Sequence, residues 1–266
     1  EYSVTARNYG ISMLILFGLA ALYPRYRERG LVLGLLLLLL ANSNVHSMLL
    51  ALAFFLFWFL DTLWARGLRW TPALRTVALN GCLVVLGAIL CFATIYPPYN
   101  DAVGSEFGPL TLKSLFRIFV RPFDGDLAFN GPWIALGLDP DEKGFAIDLL
   151  RLLAALAALG SVFGLIRRPP ALAAALASLL LLSLFFVIVY RGDYRHQALW
   201  LVFLVTMYWI ALLPSPRPRL ALPERLAGMA VRVQSAGAAL FVLLLVLQVP
   251  GGLAAMADVV LDRPPF

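Results

Sequence analysis

Eight apolar blocks separated by polar breaks set the pattern of this chain, at about 9–23, 31–41, 48–63, 77–96, 146–166, 171–190, 198–213 and 237–249. Within them Leu, Ala and Phe run together, without the strict alternation of a ten-residue barrel strand. A run of about 20 apolar residues crosses the hydrocarbon layer as a helix. Lipid tolerates only helices and closed barrels, because every backbone polar group must be satisfied inside the structure. The pattern therefore predicts an all-α polytopic bundle of about seven or eight membrane helices. It fills 1–249, carries a long extracytoplasmic loop over 97–145, and ends in an extracytoplasmic tail over 250–266.

The second block is unusual. It lies between Gly30 and the polar run Asn42-Ser43-Asn44-Val45-His46-Ser47, and its eleven residues rise only about 17 Å as a helix. Either it reaches partway and leaves the polar run below the outer surface, or it fuses with the third block into one long bent helix. The expectation is the first, a short or re-entrant helix.

Composition agrees with a bilayer as solvent. Hydrophobic residues make up 62% of the chain and charged residues 14%, with a mean hydropathy of +0.87; an ordinary soluble domain is about a quarter charged. The net charge of +6 does not point to nucleic acid, since 12 of the 21 basic residues are arginines in four short inter-helix segments. Such clustering is the signature of membrane orientation. With the Arg25/Arg27/Arg29 turn placed in the cytoplasm, alternation gathers Arg66, Arg69, Arg75, Arg167, Arg168, Arg217, Arg219, Arg225 and Arg232 on the same side. Only Glu28, Asp61 and Glu224 oppose them, so this side carries +9 and the other −3. Cys82 and Cys91 stand about 13 Å apart along one helix, on opposite faces, and cannot pair. With only His46 and His196 besides, no Cys/His zinc pattern exists. The chain opens at Glu1 without an initiator Met and stops in a proline-rich stretch at Phe266, and it reads as a piece of a longer protein.

This topology puts five polar pieces on the extracytoplasmic side: 1–9, 42–47, 97–145, 191–197 and the tail. Ionisable groups near the membrane boundary face a cavity or one another. In Arg191-Gly192-Asp193-Tyr194-Arg195-His196, either arginine is a candidate to grip phosphate bidentately, or Asp193 and Arg195 form a solvated pair. Arg7 and Tyr9 open the first span, where an anion would meet a helix N-terminus; headgroup snorkelling explains them equally well. His46 with Asn42 and Asn44 offers hydrogen bonds to sugar hydroxyls, or His46 acts as a base, or, as is more common, it is a satisfied structural histidine. Within the long loop, Leu112, Leu115, Phe116 and Phe119 share the face of a surface helix whose Lys113, Arg117 and Arg121 would follow lipid phosphates or edge a lid. Asp124-Gly125-Asp126 has the spacing of a metal-holding carboxylate pair but reads more readily as a solvated glycine turn, and Asp139-Pro140-Asp141-Glu142, which lacks the rest of a calcium loop, reads likewise as a solvated turn. No carboxylate is placed mid-membrane, which weighs against ion-coupled transport.

The stretch Glu1-Tyr2-Ser3-Val4-Thr5-Ala6-Arg7-Asn8-Tyr9-Gly10, followed by an apolar helix, a basic turn, a short apolar helix and a polar Asn/His segment, resembles the middle of GT-C-type membrane glycosyltransferases. In these an E-x-x-x-x-A-R-x-Y-like motif opens a span on the extracytoplasmic side. Tyr190-Arg191-Gly192-Asp193-Tyr194-Arg195-His196 is similar to the Y-x-x-R-Y or R-H segment before a late helix of the same family. The resemblance implies a multi-pass enzyme, in a bacterial inner membrane, that passes a sugar from a polyprenyl-phosphate donor to an acceptor on the extracytoplasmic face, sometimes with a divalent metal cation. Arg7 and Tyr9 would help frame the site, and Arg191, Arg195 and His196 would be candidates to meet the donor phosphate; the residue reading adds Asn44, His46 and Tyr194 to the substrate-binding set. The family's catalytic acid lies in an outer loop after an N-terminal helix that has no counterpart here; Glu1 adjoins the corresponding region. Two rival readings remain. One is a transporter or flippase for a lipid-linked or amphipathic solute, and the other is a non-enzymatic assembly subunit.

Overall fold

The computed structural model describes residues 2–95, 144–188, 194–213 and 224–261. Among them are eight α-helices: α1 (Tyr2–Tyr26), α2 (Val32–Ala41), α3 (Val45–Arg66), α4 (Pro72–Ile95), α5 (Phe145–Val162), α6 (Pro169–Ile188), α7 (Tyr194–Leu212) and α8 (Glu224–Leu261). A 3-10 turn, Phe163–Leu165, extends α5. Among the described residues four segments are long and apolar enough to cross a bilayer: Val45–Arg66, Pro72–Thr94, Pro169–Val187 and Ala227–Pro250. Three shorter apolar helical segments accompany them, Val32–Ala41, Leu152–Leu165 and Ala198–Leu212. The chain is an all-α, integral multi-pass membrane protein. All eight apolar blocks of the sequence appear as helices.

The last helix is longer than its apolar block. Helix-forming residues from Glu224 to Gln234 carry α8 upstream of Gly237, and it continues through Pro250 to Leu261, inside the stretch read as a tail. A proline cannot donate its missing N–H, so one rung of the ladder is lost at Pro250. The long loop 97–145 falls almost wholly outside the described residues.

Local signals place the breaks. Gly30 at φ +72° turns α1 into α2, and Gly67 at φ +69° ends α3, both in the left-handed region that glycine enters without a Cβ penalty. Between α2 and α3 the helix stops at Asn42. Asn44 is extended, and its side chain accepts a hydrogen bond from Ser47 N at 2.8 Å, capping α3. That cap excludes the fused-helix reading, and α2 stands as a separate ten-residue helix.

Apolar residues on one face of each helix build the core. On α1, Leu16, Leu19, Ala20 and Tyr23 follow the i, i+3, i+4, i+7 spacing and are all buried, while Leu14 is 72% exposed. α1 packs on α2, α3 joins α4 and α6, and α7 lies between α1 and α6; α5 and its 3-10 turn pack on α8. In lipid, helices gain little from the hydrophobic effect between them, and small residues that permit close packing take its place. Gly160 and Gly164 form such a G-x-x-x-G pair against α8. A Cβ at Gly164 would collide with Tyr208 Oη and the backbone of Ala238, and one at Gly237 would strike the backbone of Gly164.

The arginine-bearing turns gather at one end. Arg66 reaches Glu28 at 3.2 Å, Thr76 Oγ1 donates to the Glu28 carbonyl, and Trp58 Nε1 donates to the Arg27 carbonyl. Arg168 donates to the carbonyl of Leu213, and Arg167 to Gln234. Cys82 is exposed on α4 and Cys91 buried, neither in a disulfide, as their spacing requires.

Candidate functional site

Most buried polar groups within the helices serve the fold. Ser161, Ser178 and Thr206 donate back to carbonyls three or four residues earlier. Asn80, on α4, donates to the Gly30 carbonyl at 2.9 Å and accepts from Gly34 N at 2.8 Å, which pins the start of α2. A Cβ on Gly34 would collide with that side chain.

At the end away from the arginines, a second group of polar side chains lies sunken in the bundle. Ser12 on α1 and Ser43 in the α2–α3 link have hydroxyls 2.8 Å apart. Ser47 Oγ donates to Ser12 Oγ at 2.8 Å and Asn44 Nδ2 to the same oxygen at 3.2 Å. Ser12 and Ser47 have no exposed surface. Asn42 Nδ2 reaches the carbonyl of Gly87 on α4, and α4 continues eight residues to Ile95, about 12 Å further. From Ser12 back to Tyr2, α1 likewise rises about 15 Å. The polar link therefore lies well below the tips of its neighbours, because α2 stops after ten residues.

His46 is buried on the first turn of α3, with Phe185 edge-on at 5.1 Å and Phe186 tilted at 5.5 Å between ring centroids. These phenylalanines close α6, two residues before Ile188. Ser183 Oγ, two residues before Phe185 on α6, and Trp200 Nε1 on α7 are buried with no hydrogen-bond partner. Neither residue stood out in the sequence, where a serine or a tryptophan in an apolar helix is unremarkable.

Of the predicted site residues, Tyr9 is half-buried against the core, one turn of α1 from Ser12. Asn44 donates to that serine, and His46 follows on the first turn of α3. Arg7 lies on the first turns of α1, and Tyr194, Arg195 and His196 on the first turn of α7. The two helices are neighbours running the same way, with Phe17 and Trp209 in ring contact at 6.3 Å further along. Their N-termini thus open at the same end as the sunken link. The side chains of Arg7, Tyr194, Arg195 and His196 lie outside the described set, as do Glu1, Arg191, Asp124, Asp126 and the basic face Lys113, Arg117 and Arg121. Among the described residues no three His, Cys, Asp or Glu side chains come together to hold a metal.

Asp61 lies near the arginine-rich end of α3, five residues before Arg66, is 6% exposed, and accepts a hydrogen bond from Tyr23 Oη at 2.5 Å. The tyrosine hydroxyl supplies a donor to the carboxylate there. Glu28 and Asp61 are the only carboxylates among the described side chains, and both stand at the arginine-rich end.

The chain matches no protein-family model, no curated protein and no solved structure.

Proposed function

We propose that this chain is the later membrane part of a glycosyltransferase that transfers a sugar from a polyprenyl-phosphate donor to an acceptor on the extracytoplasmic face. The observation that carries the reading is the meeting of two segments, Tyr9 on α1 with Asn44 and His46 at the start of α3, at the end where the arginine-bearing starts of α1 and α7 also open. A lipid-linked sugar needs such a place: cations at headgroup depth for its phosphate, and neutral donors and acceptors beneath for its hydroxyls. Asn44, the serine hydroxyls, and the buried Ser183 and Trp200 donors supply the neutral set. Buried polar groups left without partners commonly await a ligand or water.

In the transfer, the acceptor hydroxyl loses its proton to a carboxylate as its oxygen bonds to the sugar's anomeric carbon. The bond from that carbon to the phosphate oxygen breaks, and the departing phosphate keeps the electron pair. Arg7, Arg191 and Arg195 are the candidates to stabilise that charge. The base belongs to the segments around the site, with Glu1 the candidate this chain offers. Asp124 and Asp126 are the residues that would hold a divalent cation, which would offset charge on the donor phosphate.

Between the polar link and the arginine-rich end lie Leu16, Leu19, Leu50, Phe54, Trp58 and Phe203, all buried. That apolar layer favours a site open to one side over the transmembrane path of a transporter. The test is transfer from a panel of radiolabelled polyprenyl-phosphate hexoses and pentoses by membranes holding the full chain. Transfer that Arg195→Ala abolishes without loss of membrane insertion supports the proposal. Movement of the labelled lipid between leaflets with no new glycosidic bond would replace it with the flippase reading.

A further inference from the structure

At the arginine-rich end, α1, α3, α6 and α7 surround a cavity of about 190 Å³. Its charged lining consists of Arg27, Asp61 and Arg168, and Tyr23 holds the Asp61 carboxylate from one side. Arg27, only 18% exposed, also has its Nε 3.9 Å from Glu28 Oε1, so the two guanidinium groups stand among two carboxylates and offer directed donors rather than an excess of charge. Depth is set by the helix ends. Arg27 follows the last residue of α1 and Arg168 precedes the first of α6. This is the level at which lipid phosphates lie beside a membrane protein.

A second cavity of about 240 Å³ shares Arg168 and Ala211 with the first. Its other walls are mainly apolar, among them Leu165, Leu212, Phe241 and Val242. A charged cavity joined to an apolar one through a common arginine fits an amphiphile better than a small free anion. Arg suits this position because its planar donors match phosphate oxygens while its stem packs on apolar surface.

We infer that the arginine-rich end binds one phospholipid, with its phosphate on Arg27 and Arg168 and an acyl chain in the cavity lined by Phe241 and Val242. Asp61 faces the same headgroup space, which selects a headgroup bearing hydroxyl or ammonium donors. The site stands at the end opposite the sunken polar link and does not rest on the transferase reading.

The test is native mass spectrometry on the full chain, delipidated in detergent and then titrated with phosphatidylglycerol, with inorganic phosphate as a competitor. One tightly held phosphatidylglycerol is expected. Its affinity should fall at least about tenfold in Arg27→Gln and in Arg168→Gln, as befits loss of a charge-assisted hydrogen bond. Arg232→Gln, at an exposed position on α8, should bind as the parent does. Equal retention in both cavity variants overturns the proposal, and so does displacement of the lipid by inorganic phosphate, which would mark a simple anion site. Should Arg168→Gln fail to purify as a monodisperse protein, Arg27→Gln decides, since Arg27 lies beyond the end of its helix.

Discussion

Ser12 and Ser47 lie 35 residues apart in sequence, on α1 and α3, and their hydroxyls meet at 2.8 Å with no exposed surface. Asn44 contributes to the same cluster twice, capping α3 and donating to Ser12. Asn44→Ala removes both contacts and should cost roughly 1–2 kcal/mol, the range of a lost N-cap. Asn44→Asp keeps the cap acceptor but loses the amide donor, and should recover part of that loss. Denaturant titration in detergent, followed by tryptophan fluorescence, measures both. Equal stability of all three proteins would mean that the link does not hold α3 in place.

The Tyr23–Asp61 bond makes a sharper prediction. Tyr23→Phe takes the donor from a carboxylate that is 6% exposed, and a hydrogen bond to a charged group contributes about 1.5–3 kcal/mol. Asp61→Asn removes the charge, and the tyrosine retains an acceptor. The double variant should therefore lose less than the two single losses combined, since both act on one pair. Strict additivity in a double-mutant cycle would show that the two residues do not act together.

Much of this architecture is legible in the sequence, because lipid imposes one demand on every span. Apolar length and arginine clustering locate eight helices and the end where their basic turns gather, and the polar run after Ala41 marks the short α2. The role of Asp61 is harder to read. Five residues from Arg66, it has the appearance of a helix-end charge, and only the packing of Tyr23 on the neighbouring helix makes it a buried acceptor. Ser12, Ser183 and Trp200 were equally silent, since nothing local distinguishes a serine that donates to its own helix from one that faces a partner. His46 was marked by its residue type, but the two phenylalanines around it lie some 140 residues away in sequence and come together with it only through the α3–α6 contact.

The α5–α8 crossing is set by glycines. Gly164→Ala places a methyl group against Tyr208 Oη, whose hydroxyl donates to the Ser161 carbonyl at 2.5 Å, and against backbone that cannot rotate aside. Overpacking of this kind costs about 1–3 kcal/mol. Tyr208→Phe in the same background frees the space held by the hydroxyl and should restore part of the stability, although the Ala238 backbone still opposes the methyl. A thermal shift series in one detergent reads this directly. If Gly164→Ala leaves the melting temperature unchanged, the two helices are not in close contact there.

Orientation follows from charge and is open to a simple chemical test. Leu68, 84% exposed in the turn after α3, lies among Arg66 and Arg69, and Phe145, also 84% exposed, opens α5 at the other end. Positive charge in short loops is retained on the cytoplasmic side. In a Cys82→Ser, Cys91→Ser background, Leu68→Cys should react with a membrane-impermeant maleimide only after the cells are opened. Phe145→Cys should react in intact cells. The reverse pattern would put the sunken polar link on the cytoplasmic side and remove the extracytoplasmic transferase reading, since a donor carried on the outer leaflet would no longer reach it. Labelling of both positions from one side would break the alternation of spans itself, which requires an odd number of crossings between α3 and α5.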